Sequence, residues 1–380
     1  MPEADMKAIV HGAPGKLQIE EHAPKPPIES GSEKVLVKVH AVALNQSDWK
    51  MVDFSAKPGN ISGYDMSGTV EAVDTATPTN LVVGDRVLGV TGVRGGAFAE
   101  YVVTDGNLLI KFPVAMEFRT AASFGVGIVT TGLALYSQEF LALQWPNADG
   151  KIESTSGSKR VGPRGWSGGN SSIFDDTENA RIPVLVYGAS TATGTLALQL
   201  LHLSGYEAIA VCSPRNFALV QSRGASKCFD YHSSGCGAMI KQYTHNRLEY
   251  VLDCITTASS MRLCYEAVGT KGGKYVSLDP FNPRVQRSRS DVKASFCYAL
   301  TIFGRPIELD GEFARDAKPE DRKLAEKFVK VAERFIEEGK LKAHPTKLME
   351  GGLDRVIDGV DLLRKGKVSG EKLVYNVTDT

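Results

Sequence analysis

The run Val186-Tyr-Gly-Ala-Ser-Thr-Ala-Thr-Gly194 is the part of this chain best suited to chemistry. Apolar, extended residues lead into it over 183–187, and an apolar helical period follows over 195–203. A turn this tight at the start of a helix aims backbone N–H groups and the positive end of the helix dipole at one point, which suits a pyrophosphate. Of a glycine-rich fingerprint only Gly188 and Gly194 remain; Ser190, Thr191, Ala192 and Thr193 lie between them, and three of these bring hydroxyls that can donate to phosphate oxygens. Roughly 20–25 residues on, a dinucleotide fold places the residue that reads the ribose 2′ position. The sequence there offers Ser213, Pro214, Arg215 and Asn216, and no acid. That set suits a 2′-phosphate, so NADPH is the expected cofactor.

The elements around this turn alternate. Strands are expected over 208–212, 227–230, 250–253 and 274–278, and helices over 217–224, 237–244 and 259–268. Short apolar strands separated by helices predict a doubly wound parallel sheet. The last strand of that sheet is expected over 298–304, followed by helices over 320–338 and 353–364, the segment 341–348, and a closing strand over 372–377.

The N-terminal third reads differently. Short extended runs over 6–10, 35–43, 68–73, 85–90 and 99–103, separated by Gly, Pro and Asn turns, predict a compact β domain. From 118 to 143 the pattern is helical. Residues 145–181 are rich in Gly, Ser and Asn and are expected to be a disordered surface insertion. Within them Gly165-Trp-Ser-Gly-Gly169 matches a Gly-x-Ser-x-Gly nucleophile pattern by letter, but lacks the flanking strand and helix that the pattern requires.

Composition bounds the function. A length of 380 residues suits two domains. Forty-four basic and 44 acidic side chains cancel, which gives no electrostatic case for nucleic acid. No signal sequence and no membrane-length apolar run are read, so a soluble cytoplasmic protein without a membrane partner is expected. Cys212, Cys228, Cys236, Cys254, Cys264 and Cys297 form no Cys-x-x-Cys pair and read as buried thiols in a reducing compartment.

A β domain, then a dinucleotide domain, then a return resembles the medium-chain dehydrogenase/reductase superfamily. Asn45-Gln-Ser-Asp48, Gly63-Tyr-Asp-Met-Ser-Gly68, Gly84-Asp-Arg-Val87 and Gly95-Gly-Ala-Phe-Ala-Glu-Tyr101 stand in its order. Within it, Ser47-Asp-Trp-Lys50, Cys212-Ser-Pro-Arg-Asn-Phe217, Thr301-Ile-Phe-Gly304 and Val368-Ser-Gly-Glu-Lys-Leu373 are similar to the fungal enoyl reductases that serve polyketide synthases in trans. The resemblance implies a β-rich GroES-like domain over 1–125, a Rossmann domain over 126–305 and a return to the first domain over 306–380. It implies cofactor contacts at Ser47, Asp48, Trp49, Lys50, Ser190–Thr193, Ser213–Asn216, Tyr231, Leu278, Asp279, Val368 and Ser369. Substrate contacts are implied at Thr131, Gly132, Leu133, Ala134, Leu135, Tyr136, Ser137 and Gln138, and at Tyr298, Ala299, Leu300, Thr301 and Ile302. The apolar stretch 132–136 serves equally as a wall for an acyl chain or as plain core. Zinc members carry Cys where this chain has Asn45 and Gly-His-Glu where it has Gly63-Tyr-Asp65, so no metal is expected.

Reducing a polarised C=C takes a hydride donor over the β carbon, a donor for the enolate oxygen and a proton for the α carbon. Lys50 is the candidate cation, as enolate stabiliser or proton donor; a surface lysine or a cofactor-phosphate contact is the alternative. Thr130 is the second candidate, expected at a cleft-side helix start, where a capping hydroxyl is the competing role. The expected function is NADPH-dependent reduction of an enoyl thioester carried by a partner polyketide synthase, by a monomer or homodimer. A reductase of free quinones or 2-alkenals, and a non-catalytic NADPH-binding protein, are the alternatives.

Overall fold

The computed structural model describes residues 5–74, 76, 79–92, 96–146 and 181–377. Most of the expected insertion, including the Gly165–Gly169 motif, lies outside these residues. Trp145, placed in the insertion by composition, belongs to the packed fold: its ring centroid is 5.4 Å from that of Tyr136 and 5.7 Å from that of Phe328.

The N-terminal part comprises β1 (Asp5–His11), β2 (Leu17–Pro24), β3 (Lys34–Ala43), α1 (Gln46–Phe54), β4 (Asp65–Val73), β5 (Arg86–Val90), β6 (Tyr101–Asp105) and β7 (Ile110–Lys111). Helices α2 (Phe118–Ala121) and α3 (Gly125–Tyr136) lead out of it. The stretch 118–136 is, against the sequence-based expectation, long and apolar enough to cross a membrane by length and composition; 78% of it is buried inside the fold.

The second part alternates β8 (Pro183–Tyr187), α4 (Ala192–Leu203), β9 (Glu207–Val211), α5 (Phe217–Ser222), β10 (Lys227–Phe229), α6 (Cys236–Tyr243) and β11 (Tyr250–Asp253). It continues through α7 (Ala258–Ala267), β12 (Gly273–Ser277), α8 (Pro283–Gln286) and β13 (Val292–Phe296). These strands form one parallel sheet in the order β10-β9-β8-β11-β12-β13. Chain order reverses between β8 and β11, the switch point at which such sheets bind ligands beyond their strand ends.

The last strand is β13, not 298–304. Residues Ala299–Phe303 form a 3-10 turn whose Leu300, Thr301 and Ile302 are buried. Their apolar run reflects packing against the next helix, α9 (Pro319–Glu337), rather than strand pairing.

The chain then passes through β14 (Thr346–Leu348), α10 (Val356–Arg364) and β15 (Lys372–Asn376). Strand β15 pairs with β3, with Val374 opposite Ala43, which returns the C-terminal segment to the first sheet, ordered β14-β15-β3-β4-β5-β7. The loop before β15 therefore faces the open ends of the parallel sheet.

Candidate active site

Between the two sheets lies a cavity of about 1120 Å³, walled by α1, the loop beyond β12, the start of α4 and the segment before β15. Its glycines explain how a dinucleotide fits. Gly188 has φ of +72°, and a Cβ there would lie 2.7 Å from Ile255 Cγ1. A Cβ on Gly194 would lie 2.5 Å from the Gly188 carbonyl oxygen, so only glycine lets α4 sit this close to β8.

Thr191 caps α4, its hydroxyl accepting the Gly194 N–H at 3.0 Å. The N–H groups of Ala192 and Thr193 have no intrahelical acceptor, and Ser190, Thr191, Ala192 and Thr193 all line the cavity. These residues fit a pyrophosphate. His344, which the sequence did not single out, supports the same turn through a 2.9 Å bond from Nδ1 to Thr195 Oγ1; burial pushes it down to about 3, so the ring is neutral.

At one end of the cleft several expected contacts meet. Asn216 Nδ2 donates to Ser190 Oγ at 3.1 Å, Ser213 to the Tyr231 hydroxyl at 3.2 Å, and Arg215 to Ser369 Oγ at 3.0 Å. Ser369 and Val368 come from the returning segment, so both parts of the molecule close this end. Pro214 begins the 3-10 turn Pro214–Asn216 and does not line the cavity. Leu278 and Asp279, just beyond β12, do.

On α1, Ser47, Trp49 and Lys50 face the cavity and Asp48 does not. The Asp48 side chain is fully buried, accepts the Asn45 N–H at 2.6 Å and leaves its second oxygen without a hydrogen bond. Burial pushes its carboxyl up to about 8. Asp48 is thus a helix-start residue rather than a cofactor contact. Lys50 is ion-paired across the cleft with Asp279.

Beneath the cleft, the Lys372 ammonium lies 2.7 Å from Asp65 Oδ2 and donates to Asn45 Oδ1 at 2.6 Å. Asn45 Nδ2 also donates to Asp65, at 3.0 Å. The Lys372 ammonium thus balances the buried Asp65 carboxylate. The free carboxylate oxygen of Asp65 accepts the Val126 N–H at 2.5 Å, which fixes the start of α3.

Helix α3 begins at Gly125, so Thr130 lies inside it rather than at its start. From this helix Val126 and Thr130 reach the cavity, and residues 131–138 do not. Thr131 donates its hydroxyl to the Gly127 and Ile128 carbonyls, Gly132 packs under Phe328, Leu133, Ala134 and Leu135 are fully buried, and Tyr136 bonds Ser204. Ser137 ends the helix and Gln138 is exposed beyond it. The stretch is core, because α4 and α9 cover it. Of the second expected substrate segment, Tyr298, Ala299 and Leu300 line the cavity. Thr301 donates to Asp321 at 2.5 Å and Ile302 is core.

Residues 31–114 match the alcohol dehydrogenase GroES-like domain. The trans-enoyl reductase BOA5 of Botryotinia fuckeliana is 73% identical over 98% of this chain and 99% of its own length. The trans-enoyl reductase caaB of Aspergillus niger is 43% identical, covering 97% and 96%. Among solved structures, the CurK enoyl reductase superposes with a TM-score of 0.70 at 17% identity over 98% of this chain and 99% of that one. The quinone oxidoreductase of Pseudomonas syringae gives 0.69 at 18%, covering 97% and 99%; both likenesses show the shared fold. With a turn whose geometry fits a pyrophosphate and relatives this similar along the whole chain, the protein belongs to the fungal trans-enoyl reductases of the medium-chain dehydrogenase/reductase superfamily, oxidoreductases that use a nicotinamide cofactor to reduce a C=C bond.

Proposed function

We propose that the cofactor is NADPH and that the substrate is an α,β-unsaturated polyketide thioester carried by a separate polyketide synthase. The observation that carries the cofactor choice is the end of β9. No acid stands there, and Arg215, held by Ser369, offers a guanidinium beside the Ser213 and Tyr231 hydroxyls. A carboxylate would bond a ribose 2′-hydroxyl and repel a phosphate; this set favours the phosphate.

The substrate class is supported by the names of the relatives and by the form of the cleft. Phe54, 74% exposed, lines its mouth beside Trp49, and Val90, Val126, Leu300 and Leu309 line its wall. An apolar wall with a wide mouth suits an acyl chain delivered on a long carrier arm.

When bound, the reduced nicotinamide supplies a hydride for the β carbon. The chain's own residues do the rest. The start of α4 fixes the pyrophosphate, Arg215 and Ser213 fix the 2′-phosphate, and Tyr298 with Leu300 orients the acyl group. Thr130 presents a hydroxyl to the cavity that has no hydrogen-bond partner among the described residues. It is placed to meet charge developing on the carbonyl oxygen, a contact effective only because it is preorganised.

The test is NADPH consumption with crotonyl-pantetheine against a free quinone. Turnover of the thioester at the higher kcat/KM supports the proposal. A quinone reduced rapidly while every enoyl thioester is left untouched would favour the free-substrate reductase.

A further inference from the structure

The inner corner of the cleft holds a polar group without an assigned role. Tyr64 immediately precedes β4, is 5% exposed and lines the cavity together with Thr130, Val126, Val90 and Leu300. Its backbone is pinned: the Tyr64 carbonyl accepts the Thr91 N–H at 2.9 Å, and the next residue, Asp65, accepts the Val126 N–H. Val126 and Thr130 stand four apart on one face of α3. Tyr64 and Thr130 are therefore carried on the same wall. Among the described residues the Tyr64 hydroxyl has no hydrogen-bond partner, nor has that of Thr130.

Neither hydroxyl is among the fully buried polar atoms left without a partner, so each opens on the cavity, within reach of a ligand there. One explanation accounts for both hydroxyls and for their position: the missing acceptor is a ligand atom that arrives in the cavity. Burial raises the Tyr64 phenol well above its usual value, with Tyr298 and Asp48 adding to the rise. The group therefore keeps its proton across the working range and has it available to donate.

We propose that Tyr64 is a catalytic residue whose hydroxyl, with that of Thr130, hydrogen-bonds the thioester carbonyl oxygen and stabilises the enolate formed when hydride reaches the β carbon. This rests on the reading that the substrate is an enoyl thioester. The electron balance is simple. Hydride forms the new C–H bond at the β carbon, the π pair moves onto the carbonyl oxygen, and that oxygen is held by two neutral donors. The enolate then collapses as the α carbon takes a proton from water entering by the cleft mouth, and Tyr64 retains its own proton throughout. The phenol also fixes the rotation of the thioester, so the face of the α carbon presented to water is set by the protein.

Tyr64→Phe tests the assignment. With crotonyl-pantetheine at saturating NADPH, kcat falls at least tenfold, the scale for loss of a preorganised donor. NADPH affinity, measured by titration, stays within a few-fold. Acetoacetyl-pantetheine, whose enolate mimics the developing charge, binds at least tenfold more weakly to the variant, whereas saturated butyryl-pantetheine binds equally to both proteins. Thermal stability is unchanged or higher, because the deleted hydroxyl has no partner in the protein. A variant that fails to fold would show that the hydroxyl has a structural partner and would overturn the proposal. So would wild-type kcat together with an unchanged preference for the acetoacetyl probe. Wild-type protein inactive on every enoyl thioester would overturn the substrate reading itself, a result that does not depend on the variant.

Discussion

Lys50 on α1 and Asp279 beyond β12 form an ion pair that spans the cleft and ties the β-rich part of the molecule to the parallel sheet. Both side chains are about one-third exposed, at 33% and 30%, so solvent screens the pair and it adds little to stability. Its consequence is positional. The carboxylate engages one of the three ammonium N–H groups and holds the cation at the cleft wall, so a catalytic role for Lys50 depends on where the pair sets its remaining donors. Lys50→Ala and Asp279→Asn separate the two roles. If the cation serves chemistry, Lys50→Ala lowers kcat at saturating NADPH by about 10²–10³, whereas Asp279→Asn, which releases the ammonium, costs less than about tenfold. If the pair only closes the cleft, the two variants weaken NADPH binding alike and kcat at saturation survives in both.

Arg215 reaches from the 3-10 turn after β9 to Ser369 on the returning segment. Arg215→Ala should weaken NADPH by about 1.5–3 kcal/mol, roughly tenfold or more, and leave NADH nearly unaffected. Dissociation constants for both cofactors measure this directly; an equal loss for both would mean that Arg215 does not read the 2′ position.

Much of this site is local in sequence, and that part was legible. Strand β8, its turn and α4 form one continuous run, and hydrophobic periodicity marks it. The alternation that follows fixes the doubly wound sheet for the same reason. Periodicity misled where burial comes from packing rather than pairing. The apolar run Ala299–Phe303 reads as a strand but is a turn lying against α9, while the true edge strand, Val292–Phe296, is half polar. Strand β2 escaped notice because its side chains are mostly exposed and it pairs with β1 alone. Stretch 131–136 has an apolar pattern that suits a substrate wall and a core equally well, and only the cover supplied by α4 and α9 decides for core. The Asp65–Lys372 pair joins residues from opposite ends of the chain, a contact that no local pattern encodes.

That pair defines the next expectation. Lys372 and Asp65 are 4% and 0% exposed, so removing one partner leaves an uncompensated charge in the interior. Lys372→Met should destabilise the protein by about 3–5 kcal/mol, visible as a large fall in Tm. The double variant Lys372→Met with Asp65→Asn should recover a substantial part, since it removes both charges. A double variant no more stable than the single would show that the loss comes from packing rather than charge.

Asp48 predicts a pH dependence whose sign is opposite to that of an ordinary ion-paired carboxylate. Its carboxyl is pushed up to about 8 by burial, from a usual value of 3.8. Between those limits the unfolded chain releases this proton and the folded chain keeps it. The group's contribution is therefore fully present below about pH 4 and is lost as pH rises towards 8. Asp48→Asn keeps an acceptor for the Asn45 N–H but cannot ionise. The Tm of the variant relative to wild type should thus rise steadily from pH 5 to pH 8; a constant difference across that range would refute the assignment. His344, pushed down to about 3, acts in the other direction, its contribution being lost as pH falls from 6.5 towards 3.

Gly194 joins fold and cofactor in a single position. A methyl group there would stand 2.5 Å from the Gly188 carbonyl oxygen and 2.8 Å from Ala189 backbone atoms, none of which can rotate away. Gly194→Ala must therefore push α4 off β8 or distort the turn, an overpacking cost of about 1–3 kcal/mol. The same movement carries the unpaired N–H groups of Ala192 and Thr193 away from the pyrophosphate position. Because both nicotinamide cofactors share the pyrophosphate, NADPH and NADH should weaken by the same factor, in contrast to Arg215→Ala. Isothermal titration of each cofactor, together with a melting curve of the free protein, distinguishes the two variants. Selective loss of NADPH in Gly194→Ala would instead place the 2′-phosphate, rather than the pyrophosphate, at the start of α4.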